Sequence, residues 1–93
     1  MGDGISNKER DIGISTTAFD SHEDLLWIGT RGGHVTSYHG INMEKYTSFQ
    51  VHPNEEVRNI ITMDHGIMAL TKTSLRSQMR RGIPNFTFSS NNM

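Results

Sequence analysis

The chain has 93 residues, no cysteine, 33% hydrophobic residues and a formal net charge of −1. This length allows one small domain or part of a larger one, and globular domains usually contain about 45–50% apolar residues. Without thiols the chain can form neither a disulfide framework nor a cysteine-based zinc site. Its polar N-terminus does not resemble a signal peptide, and no apolar run approaches the ~18 residues of a membrane span. We therefore expect a soluble, intracellular protein with a small core.

The charge is distributed unevenly along the chain. Ten acidic and five basic residues lie at or before residue 66, whereas four basic residues and no acidic ones follow it. The four are Lys72, Arg76, Arg80 and Arg81. A basic end of this kind attracts a negatively charged partner or pairs with acidic side chains of neighbouring strands.

Residues 1–13 are predicted to form a disordered leader. Met1 to Asp11 contain a single isolated Ile5 besides polar and charged residues, which cannot bury enough apolar surface to stay ordered. From Ile14 onward, short runs of β-branched and aromatic residues alternate with turn residues, as in all-β proteins. Eight strands are predicted, at residues 14–19, 25–30, 34–39, 46–51, 57–63, 67–72, 74–80 and 85–89.

The turns between these runs divide the chain into two halves. Gly32 and Gly33 are predicted to form the tight hairpin after the second run, because glycine readily adopts positive φ. Pro53 interrupts the middle of the chain, since proline cannot donate to a sheet ladder. Two sets of four strands result, at residues 14–52 and 53–93.

The second predicted strand is apolar on both faces, and its Trp27 is expected to be a buried structural residue. Strands covered on both faces occur where four-stranded sheets stack as blades of a β-propeller.

Residues 25–28 (LLWI) recur 42 residues later as residues 67–70 (IMAL), within the ~40–45 residues of a WD-type blade. The predicted fold is all-β, with two four-stranded antiparallel blades of a WD-repeat-like propeller, the second partial at its C-terminus. Propellers have about four to eight blades, so the chain is expected to be a fragment.

Three segments carry a resemblance to a known family. They are DLLWIGTRGGHVTSYHG at residues 24–40, KYTSFQVHP at residues 45–53 and GIMALTKTSLRSQMRRG at residues 66–82. Together they resemble the N-terminal WD-repeat propeller of the catalytic subunit of the poly(A)-nuclease deadenylation complex, a poly(A)-specific ribonuclease. The resemblance implies a non-catalytic scaffold part of a 3′–5′ exoribonuclease subunit that shortens mRNA poly(A) tails in the cytoplasm, including processing bodies.

The resemblance also implies partners and cofactors. Family members contain a linker that binds a pseudokinase-like regulatory subunit, and a C-terminal exonuclease domain whose four acidic residues bind two divalent metal ions such as Mg²⁺. No position of this chain matches those catalytic residues, so we expect no enzyme activity and no catalytic, cofactor-binding or metal-binding residue here. The expected partners are the regulatory subunit and a poly(A)-bound ribonucleoprotein, with RNA contact left open and no membrane.

Other candidate sites in the sequence are weak. Asp20, Glu23 and Asp24 cluster in a polar turn, where capping and solvated charge explain them better than a metal does. The five histidines lack the spacing of a zinc site, and residues 29–33 (GTRGG) lack the Lys-Ser/Thr of a phosphate loop.

The strongest candidate contact surface is the basic strand at residues 74–80. Strand alternation places Arg76 and Arg80 on one face, with Lys72 and Arg81 at the ends, which predicts a cationic stripe. Such a stripe attracts phosphate, so the alternative function is a direct RNA-binding module using Arg76 to Arg81. No aromatic residue alternates with the arginines to stack bases, and a protein contact is therefore favoured.

Overall fold

The computed structural model describes residues 13–90, which form eight strands in two four-stranded antiparallel sheets. The strands are β1 (Ile14–Asp20), β2 (Leu25–Thr30), β3 (His34–His39), β4 (Lys45–Gln50), β5 (Asn59–Met63), β6 (Gly66–Leu70), β7 (Ser74–Met79) and β8 (Thr87–Ser89). Each sheet is a meander, in the orders β1-β2-β3-β4 and β5-β6-β7-β8. Apart from Gly13, the predicted leader lies outside the described residues. Within this part of the chain, no helix is long and apolar enough to cross a membrane.

The predicted strands are all found, and the differences at their ends have local causes. Val57 precedes β5 because its N–H donates to the Thr30 carbonyl of the first sheet (3.0 Å). Lys72 lies in a turn after β6, where the Thr71 hydroxyl accepts a hydrogen bond from the N–H of Ser74 (3.0 Å). The predicted boundary between residues 52 and 53 falls in the linker that joins the sheets, residues 51–58.

The hydrophobic core lies between the two sheets. Its buried members are Leu25, Trp27, Val35 and Phe49 of the first sheet, Val57 of the linker, and Ile60, Ile67 and Ala69 of the second sheet. Trp27 is 2% exposed, and its ring centroid lies 6.4 Å from that of Phe49. Because a single four-stranded sheet has no second layer of its own, each sheet obtains a core only by packing against another.

The first strands of the sheets lie side by side at one edge of this core. The Ser15 hydroxyl donates to the carbonyls of Val57 (2.6 Å) and Gly29 (3.2 Å). A Cβ at Gly29 would lie 2.7 Å from Cγ1 of Val57, so the backbones approach as closely as they do because Gly29 has no side chain.

In the second strand of each sheet, the 42-residue spacing of the sequence repeat differs by one residue from the spacing of structurally equivalent positions. Trp27 faces the second sheet, whereas Ala69, its counterpart at that spacing, faces the first. Cross-strand pairing instead matches Trp27 with Met68, because each lies opposite a fully buried serine, Ser37 or Ser77. A shift of one residue exchanges the two faces of a strand. The spacing from Trp27 to Met68 therefore aligns equivalent faces of the two strands, whereas the 42-residue spacing does not.

The β2–β3 hairpin requires glycine at one of its two predicted positions. Gly33 has φ 84°, and a Cβ there would collide with the carbonyl oxygen of His52 and lie 2.7 Å from that of Glu55. The Gly33 carbonyl in turn accepts the N–H of Val51 (2.8 Å). Gly32 is half-buried in the same turn and does not have positive φ. Gly33 therefore holds the start of the linker against the first sheet.

We predict that Gly33→Ala lowers the free energy of unfolding by about 2 kcal/mol or more. Alanine in the left-handed region costs roughly 1–2 kcal/mol, and its Cβ must also displace the linker carbonyls. Gly82→Ala is the matched control, because Gly82 has φ 93° but a Cβ there would meet nothing within 4 Å. Urea unfolding followed by Trp27 fluorescence measures both losses, and equal losses would contradict the role of the linker contact.

Candidate functional site

The four basic residues predicted to form a contact surface lie on β7 and in the turns at its two ends, and the structure divides them into two pairs. Arg76 and Arg80 are half-buried and contact the first sheet or its turns. Lys72 and Arg81 are exposed in turns. The predicted cationic stripe is therefore interrupted, since its central members face another part of the same chain.

Arg76 links the two sheets. Its guanidinium carbon lies 4.5 Å from the centroid of the Phe49 ring, and its Nη1 donates to the carbonyl oxygen of Gln50 (3.0 Å). A cation–π contact of this kind contributes about 0.5–1 kcal/mol at a partly exposed site. The sequence shows no aromatic beside the arginines, yet the fold supplies Phe49 from the other sheet. Phe49 is 7% exposed, so its ring is not a free platform for a base.

Arg80 joins the acidic turn of the first sheet to the second sheet. Its Nε lies 2.8 Å from Oε2 of Glu23, and its Nη2 donates to the carbonyl oxygen of Asp64 (2.8 Å). The Arg80 and Glu23 side chains are each more than a third exposed, and surface ion pairs of this kind contribute about 0–1 kcal/mol. The contact orients the two turns and adds little stability.

The acidic turn and the ring of His52 make local hydrogen bonds. Oδ1 of Asp20 accepts the N–H of His22 (3.0 Å), and Nδ1 of His52 accepts the N–H of Asn54 (2.9 Å). Residues 13–90 contain no group of three His, Cys, Asp or Glu side chains that could hold a metal ion.

The hydrogen-bonded carboxylate of Glu55 joins the linker to the second sheet. Oε1 of Glu55 accepts hydrogen bonds from the hydroxyls of Thr71 (2.7 Å) and Thr73 (2.9 Å) and from the N–H of Thr73 (3.0 Å). Nε2 of His52 lies 3.8 Å from Oε2 of Glu55. Two threonines separated by one residue in a turn are a signal for such an acceptor, but their partner is 16 and 18 residues away in sequence.

These donors stabilise the ionised form of Glu55. The Thr71 hydroxyl has the largest effect, the hydroxyl and N–H of Thr73 add to it, and partial burial opposes it. Together they lower the pKa of Glu55 from 4.5 to about 2. Because the pKa is depressed in the folded state, ionised Glu55 stabilises the fold fully above pH 4.5, and its contribution is lost as the pH falls toward 2.

We predict that Glu55→Gln is less stable than the wild type at neutral pH, because an amide oxygen accepts these hydrogen bonds more weakly than a carboxylate. The difference should shrink as the pH falls from about 4.5 to about 2. The control is Glu56→Gln, since Glu56 is the exposed neighbour and makes none of the hydrogen bonds to Thr71 and Thr73. Urea unfolding at a series of pH values tests this, and a difference that stays constant down to pH 2 would refute it.

Two antiparallel four-stranded meanders that pack face to face, with their first strands side by side, define two blades of a WD40-type β-propeller. The comparisons with known proteins agree with this class. The sequence profile described as PAN2 N-terminal matches residues 5–92, and the chain belongs to that family. The resemblance seen in the sequence is thereby confirmed.

The chain spans only a small part of the length of the relatives that it matches. It is 40% identical over 77 residues to the PAN2-PAN3 deadenylation complex catalytic subunit PAN2 of Gallus gallus and to that of Homo sapiens. Each match covers 83% of this chain and 6% of the relative. The structure of the Neurospora crassa Pan2 WD40 domain matches with a TM-score of 0.74 and 32% identity, over 87% of this chain and 26% of that one.

Proposed function

We propose that this chain is a non-catalytic scaffold part of a poly(A)-specific 3′–5′ exoribonuclease subunit that shortens mRNA poly(A) tails in the cytoplasm, including processing bodies. The observation that carries the proposal is the family match over residues 5–92, together with relatives named as catalytic subunits of a deadenylation complex. The fold supports it, because a two-blade propeller segment offers sheet edges and turns for protein contact. Any two-metal chemistry would belong to another part of such a subunit.

We further propose that the partners are a pseudokinase-like regulatory subunit and a poly(A)-bound ribonucleoprotein. The names of the relatives include a second subunit, PAN3, which supports a protein partner. Lys72 and Arg81 are the candidate contact residues that are exposed, whereas Arg76 and Arg80 are engaged within the chain. A protein that docks there would meet two separate cations at opposite ends of β7.

Direct RNA binding remains the alternative, and the contacts within the chain weigh against it. Arg76 lies over a buried ring, and Arg80 pairs with Glu23, so both would have to give up these contacts to bind phosphate. Lys72 and Arg81 alone would neutralise about two phosphates. Each phosphate contact on single-stranded RNA contributes only about 0.7 to the slope of log affinity against log salt concentration.

A chimera tests the scaffold role. Residues 14–89 replace the corresponding segment of the human relative, which is 40% identical to this chain over 77 residues. The chimera should copurify with the second subunit and shorten a poly(A) substrate at a rate within a few-fold of the parent. A Trp27→Ala chimera is the matched control, because loss of a buried aromatic side chain costs about 3–5 kcal/mol and should remove soluble propeller. A well-folded chimera that fails to bind the second subunit would overturn the proposal.

Filter binding of oligo(A) to the 93-residue chain over a salt series tests the RNA alternative. We expect weak binding that the Lys72→Gln/Arg81→Gln double variant leaves unchanged within about twofold. Arg58→Gln, which removes an exposed cation from the linker, is the control for net charge. Tight binding whose salt slope falls by about 1.4 in the double variant alone would favour the RNA-binding module.

A further inference from the structure

A small pocket lies between the two sheets, at the end that carries the β1–β2 and β5–β6 turns. Its cavity volume is about 30 Å³. The first sheet and its turn contribute Asp20, Glu23 and Trp27 to the lining, and the second sheet contributes Gln78 and Arg80. Both blades that enclose the pocket belong to this chain, so its walls do not depend on what packs against the outer faces of the sheets.

The pocket contains a buried carboxylate without a cation of its own. Asp20 is 3% exposed, and within residues 13–90 no lysine or arginine forms an ion pair with it. The carboxylate of Glu23 is already paired with Arg80. Two carboxylates and one guanidinium in the lining leave one uncompensated negative charge. Because a buried charge is costly unless it is paired, this lining favours a ligand with a single positive charge.

The acceptor atoms of the pocket match a primary ammonium group. Asp20 accepts the N–H of His22 with Oδ1, which leaves Oδ2. Glu23 contacts Arg80 with Oε2, which leaves Oε1. The side-chain amide of Gln78 adds a third oxygen to the lining. A primary ammonium has three N–H donors and no acceptor, so it can give one donor to each of these oxygens.

The size of the cavity favours the ammonium of lysine over the guanidinium of arginine. A water molecule needs about 10–15 Å³ of cavity volume, so about 30 Å³ accommodates about two non-hydrogen atoms of a ligand. A nitrogen and the methylene beside it fill this space, whereas a planar guanidinium is too large. Trp27 and Tyr46 also line the pocket, and aromatic rings attract ammonium groups and pack against the aliphatic stem of lysine.

We propose that this pocket binds a lysine side chain of a protein partner, with the ammonium group held by Asp20, Glu23 and Gln78. The net negative charge of the lining repels phosphate, which disfavours a nucleic acid as the ligand. The pocket is formed by the packing of the two blades, so this binding does not depend on a role in deadenylation.

NMR titration of the ¹⁵N-labelled 93-residue chain with small probes tests the proposal. The chain has one tryptophan, so the indole N–H of Trp27 gives a single resonance from a wall of the pocket. The probe is Nα-acetyl-lysine methylamide at about pH 7, where its ammonium group is charged. The controls are the corresponding norleucine and arginine amides, and spermidine as a free amine.

The lysine amide should shift the indole resonance saturably, with a dissociation constant in the millimolar range, as expected for one side chain in a small pocket. The norleucine amide lacks the charge and the arginine amide exceeds the cavity, so neither should give a saturable shift. No saturation up to about 0.2 M lysine amide would overturn the proposal. So would an equal response to either control amide, or a response to spermidine alone, which would assign the pocket to free amines.

Two variants distinguish the pocket from nonspecific charge attraction. Asp20→Asn removes the uncompensated charge and Gln78→Lys places a cation in the pocket, so each should weaken binding of the lysine amide about tenfold or more. Glu56→Gln is the matched control, because Glu56 is exposed, lies outside the pocket and also loses one negative charge.

Circular dichroism verifies that the sheets form in each variant. Gln78 is half-buried, so Gln78→Lys decides the outcome if loss of the buried Asp20 carboxylate unfolds the sheets. Unchanged affinity in the folded pocket variants, or an equal loss in Glu56→Gln, would show that the lysine amide does not bind in this pocket.

Discussion

Trp27 and its neighbours on β2, β3 and β4 are buried against Ile60, Ile67 and Ala69 of the second sheet, and the rest of the structure depends on this packing. A four-stranded meander has two faces and no second layer, so it cannot bury its own apolar residues. The two sheets form each other's core. Several polar contacts of the described residues, including those of Ser15 and of the Glu55 carboxylate, hold the linker against the two sheets.

This packing determines which basic side chains are available to a partner. In the sequence, acidic and basic residues are separated, which predicts a basic end available to a partner. In the fold, the strand that carries Arg76 is brought against the first sheet, and Arg80 reaches the acidic turn at Glu23. Arg80 and Glu23, which are remote along the chain, therefore pair with each other, and Arg76 is held by an aromatic ring and a carbonyl oxygen. The surface left for a partner is smaller than the count of basic residues indicates, which favours the scaffold role over direct RNA binding.

Both sheets follow the repeated design of propeller blades. A propeller blade packs on a neighbour at either side, so both faces of each sheet carry apolar residues. The buried Ser37 and Ser77 mark equivalent positions and show that both sheets follow the same pattern.

The sequence by itself determined the strands, the turns and the class of fold, because β-branched runs, glycine turns and a central Pro53 act locally. It also determined the family, since the segments around Trp27 are specific. Only the tertiary structure decided the one-residue correction to the repeat, the stacking of Arg76 on Phe49 and the hydrogen bonds of Glu55. These depend on which face of a strand meets the other sheet, and on residues 16 to 27 positions apart in the chain. A local pattern carries no information about either, because sheet packing sets both.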